Sequence, residues 1–314
     1  MKRREFVGRL AAMGLTAAAG IAFAQDAPAP AQRLPRRPFK ADGPELSIIG
    51  FGGLLLRGMQ QQQANDMVAW AVDKGVNYFD VAPSYGDSQD LLGPALEPYR
   101  QSCFLACKTT RRDAAGAREE LEGSLRALRT DHFDLYQLHA LTTTGDVDAV
   151  MAPGGALETF VAAREAGTVR YIGFSAHTEQ AALAAMERFD FDSVLFPINC
   201  VCRERGGFGP AVVAKAAERG VSVLAIKALA WTRVTDAAQR PFPNCWYRPI
   251  EDPDLARLAI AYTLDTPVVA AVSPAAAELF VLATEVGLRY RPLTEGERAE
   301  LVARTEGVQP IFPQ

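Results

Sequence analysis

Short apolar segments alternate with longer amphipathic stretches along nearly the whole chain after Leu46. Each segment is a near-continuous run of Val, Ile, Leu or Phe, which is typical of strands buried on both faces of a parallel sheet. The stretches between them have helical periodicity, so the pattern predicts a series of βα units. The predicted strands cover residues 47–51, 78–81, 104–108, 135–139, 171–175, 193–198, 221–226 and 268–272. The predicted helices cover residues 64–74, 115–128, 157–166, 180–188, 211–218, 255–264, 275–286 and 294–303.

The number of these units decides between two architectures. Eight strand–helix units are the number that closes a (β/α)8 barrel, or TIM barrel. A doubly wound dinucleotide-binding fold needs a Gly-x-Gly-x-x-Gly turn, which the sequence lacks. The chain has 314 residues, of which 49% are hydrophobic, so one barrel-sized domain over residues 43–314 fits its length. We therefore predict an α/β fold with a single TIM-barrel domain, and a Rossmann-type fold is the weaker alternative.

The first residues have the pattern of an export signal. The arginine pair Arg3-Arg4 precedes an apolar run over residues 10–24 that ends in an Ala-Phe-Ala cleavage pattern. Paired arginines are typical of the twin-arginine pathway, so we predict a signal peptide over residues 1–24 and a periplasmic location. An uncleaved membrane anchor is the alternative interpretation. Residues 25–42 are rich in Pro and Ala, which predicts an extended linker.

Charge and cysteine content restrict the kinds of partner. The formal net charge is -4 at pH 7, so the chain lacks the basic surface of a nucleic-acid binder and a small molecule is the expected partner. The five cysteines are an odd number, so we expect mostly free, buried thiols. Cys200 and Cys202 lack a second pair or a histidine at ligand spacing, which favours a structural role over a metal site. The three histidines also lack two-ligand spacing, which disfavours a metal-dependent hydrolase or isomerase.

Four residues capable of acid–base chemistry lie at the ends of three consecutive predicted strands. Asp80 lies in the second strand and Tyr85 follows five residues later, while Lys108 ends the third strand and His139 ends the fourth. Active sites of barrels lie at the carboxyl ends of the strands, so these side chains are expected to converge. Taken singly, each has an ordinary structural explanation as an ion pair, a packing residue or a surface residue. Together they predict a catalytic set.

This set suits the reduction of a carbonyl group. Hydride addition to the carbonyl carbon leaves negative charge on the oxygen, so an acid must donate a proton there. A phenol has an ordinary pKa of about 10, and a nearby ammonium lowers it. We therefore assign Tyr85 as the proton donor and Lys108 as the charge that lowers its pKa. Asp80 is expected to pair with Lys108, and His139 to hydrogen-bond and orient the substrate oxygen.

The four motifs, in this order and spacing, resemble the aldo/keto reductase family. The matching residues are Asp80 in Asn-Tyr-Phe-Asp-Val-Ala, Tyr85 in Ser-Tyr-Gly, Lys108 in Cys-Lys-Thr and His139 in Gln-Leu-His. The likeness runs from the Gly-Phe-Gly-Gly segment that contains Gly52 to the helix after the eighth strand. It implies an NAD(P)-dependent oxidoreductase that reduces an aldehyde, ketone or sugar carbonyl, or oxidises the alcohol. The resemblance also implies that the nicotinamide cofactor lies extended across the barrel top, with NADP as the family's habit and NAD as the alternative.

The resemblance further implies which residues hold the cofactor. Ser175 and Asn199 match the polar residues that hold the nicotinamide carboxamide, and Gly52 in the first strand is assigned to the cofactor as well. Lys227 stands where a cation could meet the pyrophosphate, with a surface lysine as an equal alternative. Ser273 opens a segment whose helical N–H groups could bind phosphate.

Several positions depart from the family's pattern. Ala176-His177 replaces the usual Asn after the serine of strand five, although His177 could contribute there or act as a cap. Ile226 replaces the aromatic residue that stacks on the nicotinamide in many members. The basic pair for a 2'-phosphate is missing after strand eight, where Glu278 could instead meet the adenosine. These departures leave open a second hypothesis, an exported binding or sensor barrel with little catalytic turnover.

Two further expectations concern export and the substrate. Free nicotinamide nucleotides are expected in the cytoplasm, so an exported enzyme would have to fold around its cofactor and keep it. The aromatic residues Trp231, Trp246, Tyr247 and Phe208 lie in or near loops that could line a substrate pocket, with ordinary packing as the commoner role.

Overall fold

Eight parallel strands close into a barrel in the computed structural model, which describes residues 33–312. In chain order the strands are β1 (Arg36–Pro38), β2 (Glu45–Ser47), β3 (Ile49–Gly52), β4 (Tyr78–Asp80), β5 (Phe104–Thr109), β6 (Phe133–Leu141), β7 (Val169–Ala176), β8 (Ser193–Pro197), β9 (Ser222–Ile226), β10 (Ala230–Arg233), β11 (Tyr247–Pro249) and β12 (Ala270–Val272). The barrel order is β12-β3-β4-β5-β6-β7-β8-β9. Each barrel strand overlaps a segment predicted as a strand, so the TIM-barrel prediction is confirmed and the Rossmann alternative is wrong. The expected signal peptide lies outside the described residues.

The barrel strands pair in parallel, and their register determines which residues lie side by side at the carboxyl ends of β4, β5 and β6. Asp80 in β4 pairs with Ala106 in β5, and Lys108 in β5 pairs with Gln137 in β6. These strands are buried along almost their whole length, because helices cover the outer face and side chains fill the interior. This two-sided burial is the physical reason for their continuous apolar runs.

Helices surround the barrel and follow its strands. They are α1 (Gln61–Asp73), α2 (Ser88–Leu96), α3 (Ala114–Ala127), α4 (Thr144–Met151), α5 (Ala156–Glu165), α6 (Glu179–Arg188), α7 (Cys200–Gly206), α8 (Pro210–Arg219), α9 (Pro253–Leu264), α10 (Ala277–Leu288) and α11 (Glu295–Arg304). The capping box of α11 is present, with Thr294 and Glu297 each bonding the other's backbone N–H. Helices α2, α4 and α7 were not predicted, because seven to nine residues give too little periodicity. None of the helices within residues 33–312 is long and apolar enough to cross a bilayer.

An antiparallel hairpin precedes the barrel and packs against the amino ends of its strands. Strand β1 pairs with β2, and the Phe39 ring between them lies 5.1 Å from the ring centroid of Phe104 and 5.0 Å from that of Tyr171. Phe39 is 1% exposed and belongs to the barrel core. The predicted linker over residues 25–42 is therefore wrong in its described part, where burial of Phe39 fixes the chain on the barrel. Composition gave no sign of this, because the apolar residues there are isolated among Pro and Arg.

A second hairpin, β10–β11, follows β9 and brings the C-terminal segment, residues 305–312, to the site end of the barrel. Thr232 Oγ1 donates to the Gln309 carbonyl at 2.9 Å, and the Arg233 guanidinium donates to the Ile311 carbonyl at 3.1 Å. These bonds place Phe312 beside the residues that follow β7, β8 and β9.

The five cysteines are all free and buried, which confirms the expectation of buried thiols. Burial raises the pKa of Cys103 and of Cys107 to about 11, and that of Cys200 to about 12. The thiols therefore stay protonated near neutral pH, as expected of structural cysteines. Within residues 33–312, no three His, Cys, Asp or Glu side chains are grouped so that they could hold a metal ion.

Candidate active site

The four predicted catalytic residues come together at the carboxyl end of the barrel. Asp80 is the last residue of β4, Lys108 lies near the end of β5, and His139 lies near the end of β6. Tyr85 ends a short 3-10 helix, Pro83–Tyr85, that begins three residues after β4. The convergence follows from the parallel pairing of adjacent strands, as the sequence predicted.

Lys108 and Asp80 form a buried ion pair. The Lys108 Nζ donates to Asp80 Oδ1 and also to the Val81 carbonyl at 3.3 Å, and the two residues are 0% and 2% exposed. Burial by itself lowers the pKa of Lys108, but the charge of Asp80 and the hydrogen bond to it raise the pKa, which lies above the ordinary value. Lys108 is therefore an ammonium held in a fixed position.

Two residues that the sequence did not reveal complete the bonding of Asp80. Its Oδ2 accepts from the Tyr78 hydroxyl at 3.2 Å and from Gln137 Nε2 at 3.0 Å. Tyr78 stands two residues before Asp80, and Gln137 two before His139, so the period of a strand directs each pair to the same face. That alternation was the available signal, and it would have placed both side chains on the interior face beside Asp80.

Tyr85 lies against the buried pair. The Lys108 Nζ is 5.1 Å from the centroid of the half-buried Tyr85 ring. Burial raises the pKa of the Tyr85 phenol and the Lys108 charge lowers it, and burial prevails, with Asp80 adding to the increase. Lys108 lowers this pKa as expected, but the net change is an increase, because the phenol is more deeply buried than strand order alone indicates. The phenol is protonated at neutral pH.

His139 faces Tyr85 across the site. The two rings meet edge to face with centroids 5.7 Å apart, and Ser84 Oγ lies 3.4 Å from His139 Nδ1. Burial lowers the pKa of His139 to about 2, and Lys108 is the next cause. The imidazole is therefore neutral near pH 7, so it can donate one hydrogen bond from an N–H without adding a charge.

Arg112 fixes the backbone that carries His139. Its guanidinium donates to the His139 carbonyl at 2.9 Å and the Ala140 carbonyl at 3.0 Å, and pairs with Asp146 at 3.2 Å. Ala140 has a φ of 56°, an uncommon conformation for a residue with a side chain, and its N–H donates to Ser175 Oγ at 2.7 Å. The sequence gave no signal for Arg112, which lies in an irregular loop and acts on carbonyl groups rather than on side chains.

We expect Arg112→Lys to lower kcat by about ten- to hundredfold, because an ammonium cannot span both carbonyls and Asp146, and a shift of His139 of about 1 Å is costly. Nucleotide affinity should stay the same. Steady-state kinetics and a nucleotide titration check this, with Arg111→Lys as the matched control, since Arg111 pairs with Glu120 at 3.1 Å. Equal losses of kcat in both variants would show that the carbonyl contacts do not position His139.

Ser175 and Asn199 have polar capacity that fits a carboxamide. Ser175 is 2% exposed and its oxygen accepts from Ala140, which leaves its hydroxyl hydrogen free to donate. Asn199 caps α7 by accepting from the Cys202 N–H at 2.9 Å, and its Nδ2 lies 3.4 Å from Cys202 Sγ. Asn199 thus has a structural role as a helix cap, and a second amide hydrogen remains for a ligand.

Gly52 and Ser273 contact each other where the barrel closes. The Gly52 N–H donates to Ser273 Oγ at 3.1 Å, and a Cβ on Gly52 would lie 2.6 Å from the Ser273 carbonyl oxygen. The glycine is therefore required for strand packing. Ile226, the last residue of β9, is half-buried and offers an aliphatic face instead of an aromatic ring.

Lys227 is not an ordinary surface lysine. It follows β9 with a φ of 67° and is half-buried. Its Nζ lies 5.5 Å from the Trp246 ring centroid and 5.8 Å from that of Tyr247. It therefore packs against these two rings rather than extending into solvent, and together with Trp246 and Tyr247 it forms what we call the wall of the site.

Aromatic side chains line this wall. Phe312 stacks on His177 with centroids 5.6 Å apart and on Phe208 at 5.3 Å, and it meets the edge of Trp246 at 5.7 Å. Trp246, Tyr247 and Phe208, for which the sequence left both pocket lining and ordinary packing open, lie in one cluster. Phe312 was missed because its place depends on the docking of the C-terminal segment.

Comparison with known proteins narrows the class that the fold and the site define. Residues 48–297 match the model of the Aldo/keto reductase family. The chain is 25% identical over 297 residues to an uncharacterized oxidoreductase, YqkF, of Bacillus subtilis, which covers 83% of this chain and 94% of the relative. It is 33% identical over 152 residues to the aldo-keto reductase YhdN of Bacillus subtilis, which covers 42% of this chain and 44% of that one. The solved structure of the aldo-keto reductase AKR11C1 from Bacillus halodurans in its holo form superposes with a TM-score of 0.68 at 23% identity, covering 90% of this chain and 100% of that one.

A closed barrel with an acid–base group at the carboxyl ends of its strands defines an enzyme of the TIM-barrel class. The family match spans most of the chain, so the protein belongs to the aldo/keto reductase family. It is accordingly an NAD(P)-dependent oxidoreductase.

Proposed function

We propose that the protein reduces aldehyde or ketone carbonyls with NAD(P)H, or oxidises the corresponding alcohols, with Tyr85 as the general acid and base. One arrangement supports this above the others, namely the Tyr85 phenol with the Lys108 ammonium over its ring and the His139 imidazole at its edge. Burial raises the pKa of Tyr85 and lowers that of His139, which favours a protonated phenol and a neutral imidazole. Carbonyl reduction needs a proton donor and a hydrogen-bond donor on the same oxygen. Tyr85 and His139 are suited to these two tasks.

Each residue has a task that follows from its environment. As negative charge develops on the substrate oxygen, the Tyr85 hydroxyl donates its proton to it. The Lys108 ammonium, 5.1 Å from the ring centroid, stabilises the phenolate that remains. Asp80 keeps Lys108 charged and oriented, and the His139 N–H fixes the direction of the carbonyl. A nicotinamide bound beside these residues would supply or accept the hydride.

Ser175 and Asn199 are the residues that we assign to the carboxamide of the cofactor. Gly52 and Ser273, at the closure of the barrel, are assigned to its course across the barrel top. We propose NADP(H) as the habitual nucleotide of the family. NAD(H) is the alternative, since Glu278 is exposed in the first turn of α10 and a carboxylate there favours ribose hydroxyls over a phosphate.

The experiment that tests this function uses the purified protein with each reduced nucleotide and a set of aldehydes, ketones and sugars. We expect saturable nucleotide binding and carbonyl-dependent loss of the reduced-nicotinamide absorbance. Binding without turnover for every carbonyl would favour the sensor hypothesis. Absence of binding to either nucleotide would overturn the enzyme assignment.

The pH profile follows from the shifted pKa values. His139 is active as the neutral form, which exists above its pKa of about 2. Tyr85 is active as the protonated form, which exists below a pKa that burial raises above its ordinary value. We therefore expect kcat/KM for an uncharged aldehyde to be constant from about pH 6 to about pH 9. A fall near neutral pH as pH rises would show instead that His139 must be protonated.

We also propose that the protein is exported to the periplasm by the twin-arginine pathway. The support is the Arg3-Arg4 pair and the apolar run over residues 10–24. Export of the folded protein is compatible with a cofactor that is bound before export and retained.

A further inference from the structure

Three cations act electrostatically on His139, namely Lys108, Arg112 and Lys227. Lys108 is paired with Asp80, and Arg112 with Asp146. Lys227 differs from these two cations, because it forms no ion pair with any carboxylate among residues 33–312. The wall of the site therefore carries one positive charge that no carboxylate balances.

The position of Lys227 is specified by its surroundings. The faces of Trp246 and Tyr247 hold its Nζ at 5.5 and 5.8 Å from their centroids. Such cation–π contacts orient an ammonium without neutralising it. Burial lowers the pKa of Lys227 to about 8. Its φ of 67° is also unfavourable for a residue with a side chain, and such conformations tend to persist at binding sites.

The place of Lys227 in the site points to its ligand. Lys227 contacts Trp246, whose ring meets Phe312 at 5.7 Å, and Phe312 stacks on His177. The His177 backbone N–H donates to the carbonyl of Leu141, two residues after His139, at 3.1 Å. These contacts place Lys227 on the side of the site that carries His139, in keeping with its lowering of the pKa of both His139 and His177. His177 stacks on Phe312 and stays neutral, since burial and Lys227 lower its pKa to about 4. A cation and a neutral hydrogen-bond donor on an aromatic wall suit a planar carboxylate.

We propose that Lys227, with His177 beside it, binds a carboxylate on the substrate, so that the preferred substrates are oxo acids whose carbonyl lies between Tyr85 and His139. This rests on the proposed carbonyl reduction and names its substrate class. The pyrophosphate contact expected for Lys227 from the sequence is the competing source of an anion. The two sources predict different responses of the substrate and of the nucleotide to the loss of this charge.

The test compares two substrates that differ in one charge, 4-carboxybenzaldehyde and its methyl ester, methyl 4-formylbenzoate. For the wild-type protein we expect kcat/KM to be higher for the acid. In Lys227→Met the ratio of kcat/KM for the acid to kcat/KM for the ester should fall by about ten- to hundredfold, because a hydrogen bond to a charged group is lost. Lys227→Arg should recover part of the ratio, because it keeps the charge.

The matched control is Lys215→Met, since Lys215 pairs with Glu187 and Glu218 on the surface. The Lys215→Met variant should keep the wild-type ratio of kcat/KM for the acid to kcat/KM for the ester. An equal loss for acid and ester in Lys227→Met, together with a higher Kd for the reduced nucleotide by fluorescence titration, would overturn the proposal and assign Lys227 to the cofactor phosphates. Failure of the wild-type protein to reduce either aldehyde would count instead against the proposed function.

Discussion

Tyr85→Phe is expected to lower the rate of carbonyl reduction by about a hundred- to ten-thousandfold, the usual contribution of a general acid. The substitution removes the proton that the substrate oxygen needs and little else. The phenyl ring keeps its place beside Lys108 and the edge of His139. Nucleotide affinity and the free energy of unfolding should therefore change little. Single-turnover measurements with a saturating aldehyde separate the chemical step from product release.

The matched control is Tyr171→Phe. Tyr171 stacks on Phe104 near the amino ends of the strands, with ring centroids 6.3 Å apart, so its hydroxyl is remote from the proposed chemistry. Its variant should keep the wild-type rate. If Tyr85→Phe also keeps that rate, the proton comes from another group and the assignment of Tyr85 is wrong.

The barrel was predictable because burial on two faces is visible in sequence. Strands such as β5 and β8 are buried along their whole length and consist mostly of apolar residues, and the number of such strands specifies closure. The β1–β2 hairpin was not predictable. Phe39 is a single apolar residue, and its contribution to stability depends on its contacts with Phe104 and Tyr171. Contacts between residues far apart in sequence determine where such a hairpin docks, and these contacts cannot be inferred from local composition.

The site shows the same division. Parallel pairing alone brings Asp80, Lys108 and His139 to one end of the barrel, so the sequence predicts their meeting. The direction of the Tyr85 pKa was predicted wrongly, because it depends on how much burial opposes the Lys108 charge. Lys227 could be assigned to an anion from its position after a strand, but the balance of charges around it needs the folded structure.

Lys108→Met is expected to inactivate the protein and also to destabilise it. The variant removes the ammonium that stabilises the phenolate, and it leaves Asp80 buried with only Tyr78 and Gln137 as partners. Breaking a buried ion pair by removing one member costs about 3–5 kcal/mol, because the other charge is left uncompensated. Urea unfolding followed by tryptophan fluorescence measures the free energy of unfolding, and a carbonyl assay measures the activity.

The double variant Asp80→Leu with Lys108→Met separates these two effects. Replacing both charges with apolar side chains removes the uncompensated carboxylate, so most of the lost free energy of unfolding should return. Activity should not return, because the phenolate still lacks its ammonium. If the double variant is no more stable than Lys108→Met, the ion pair is not what makes the single substitution costly. If its activity recovers with its stability, Lys108 only supports the fold, and the role given to it beside Tyr85 is wrong.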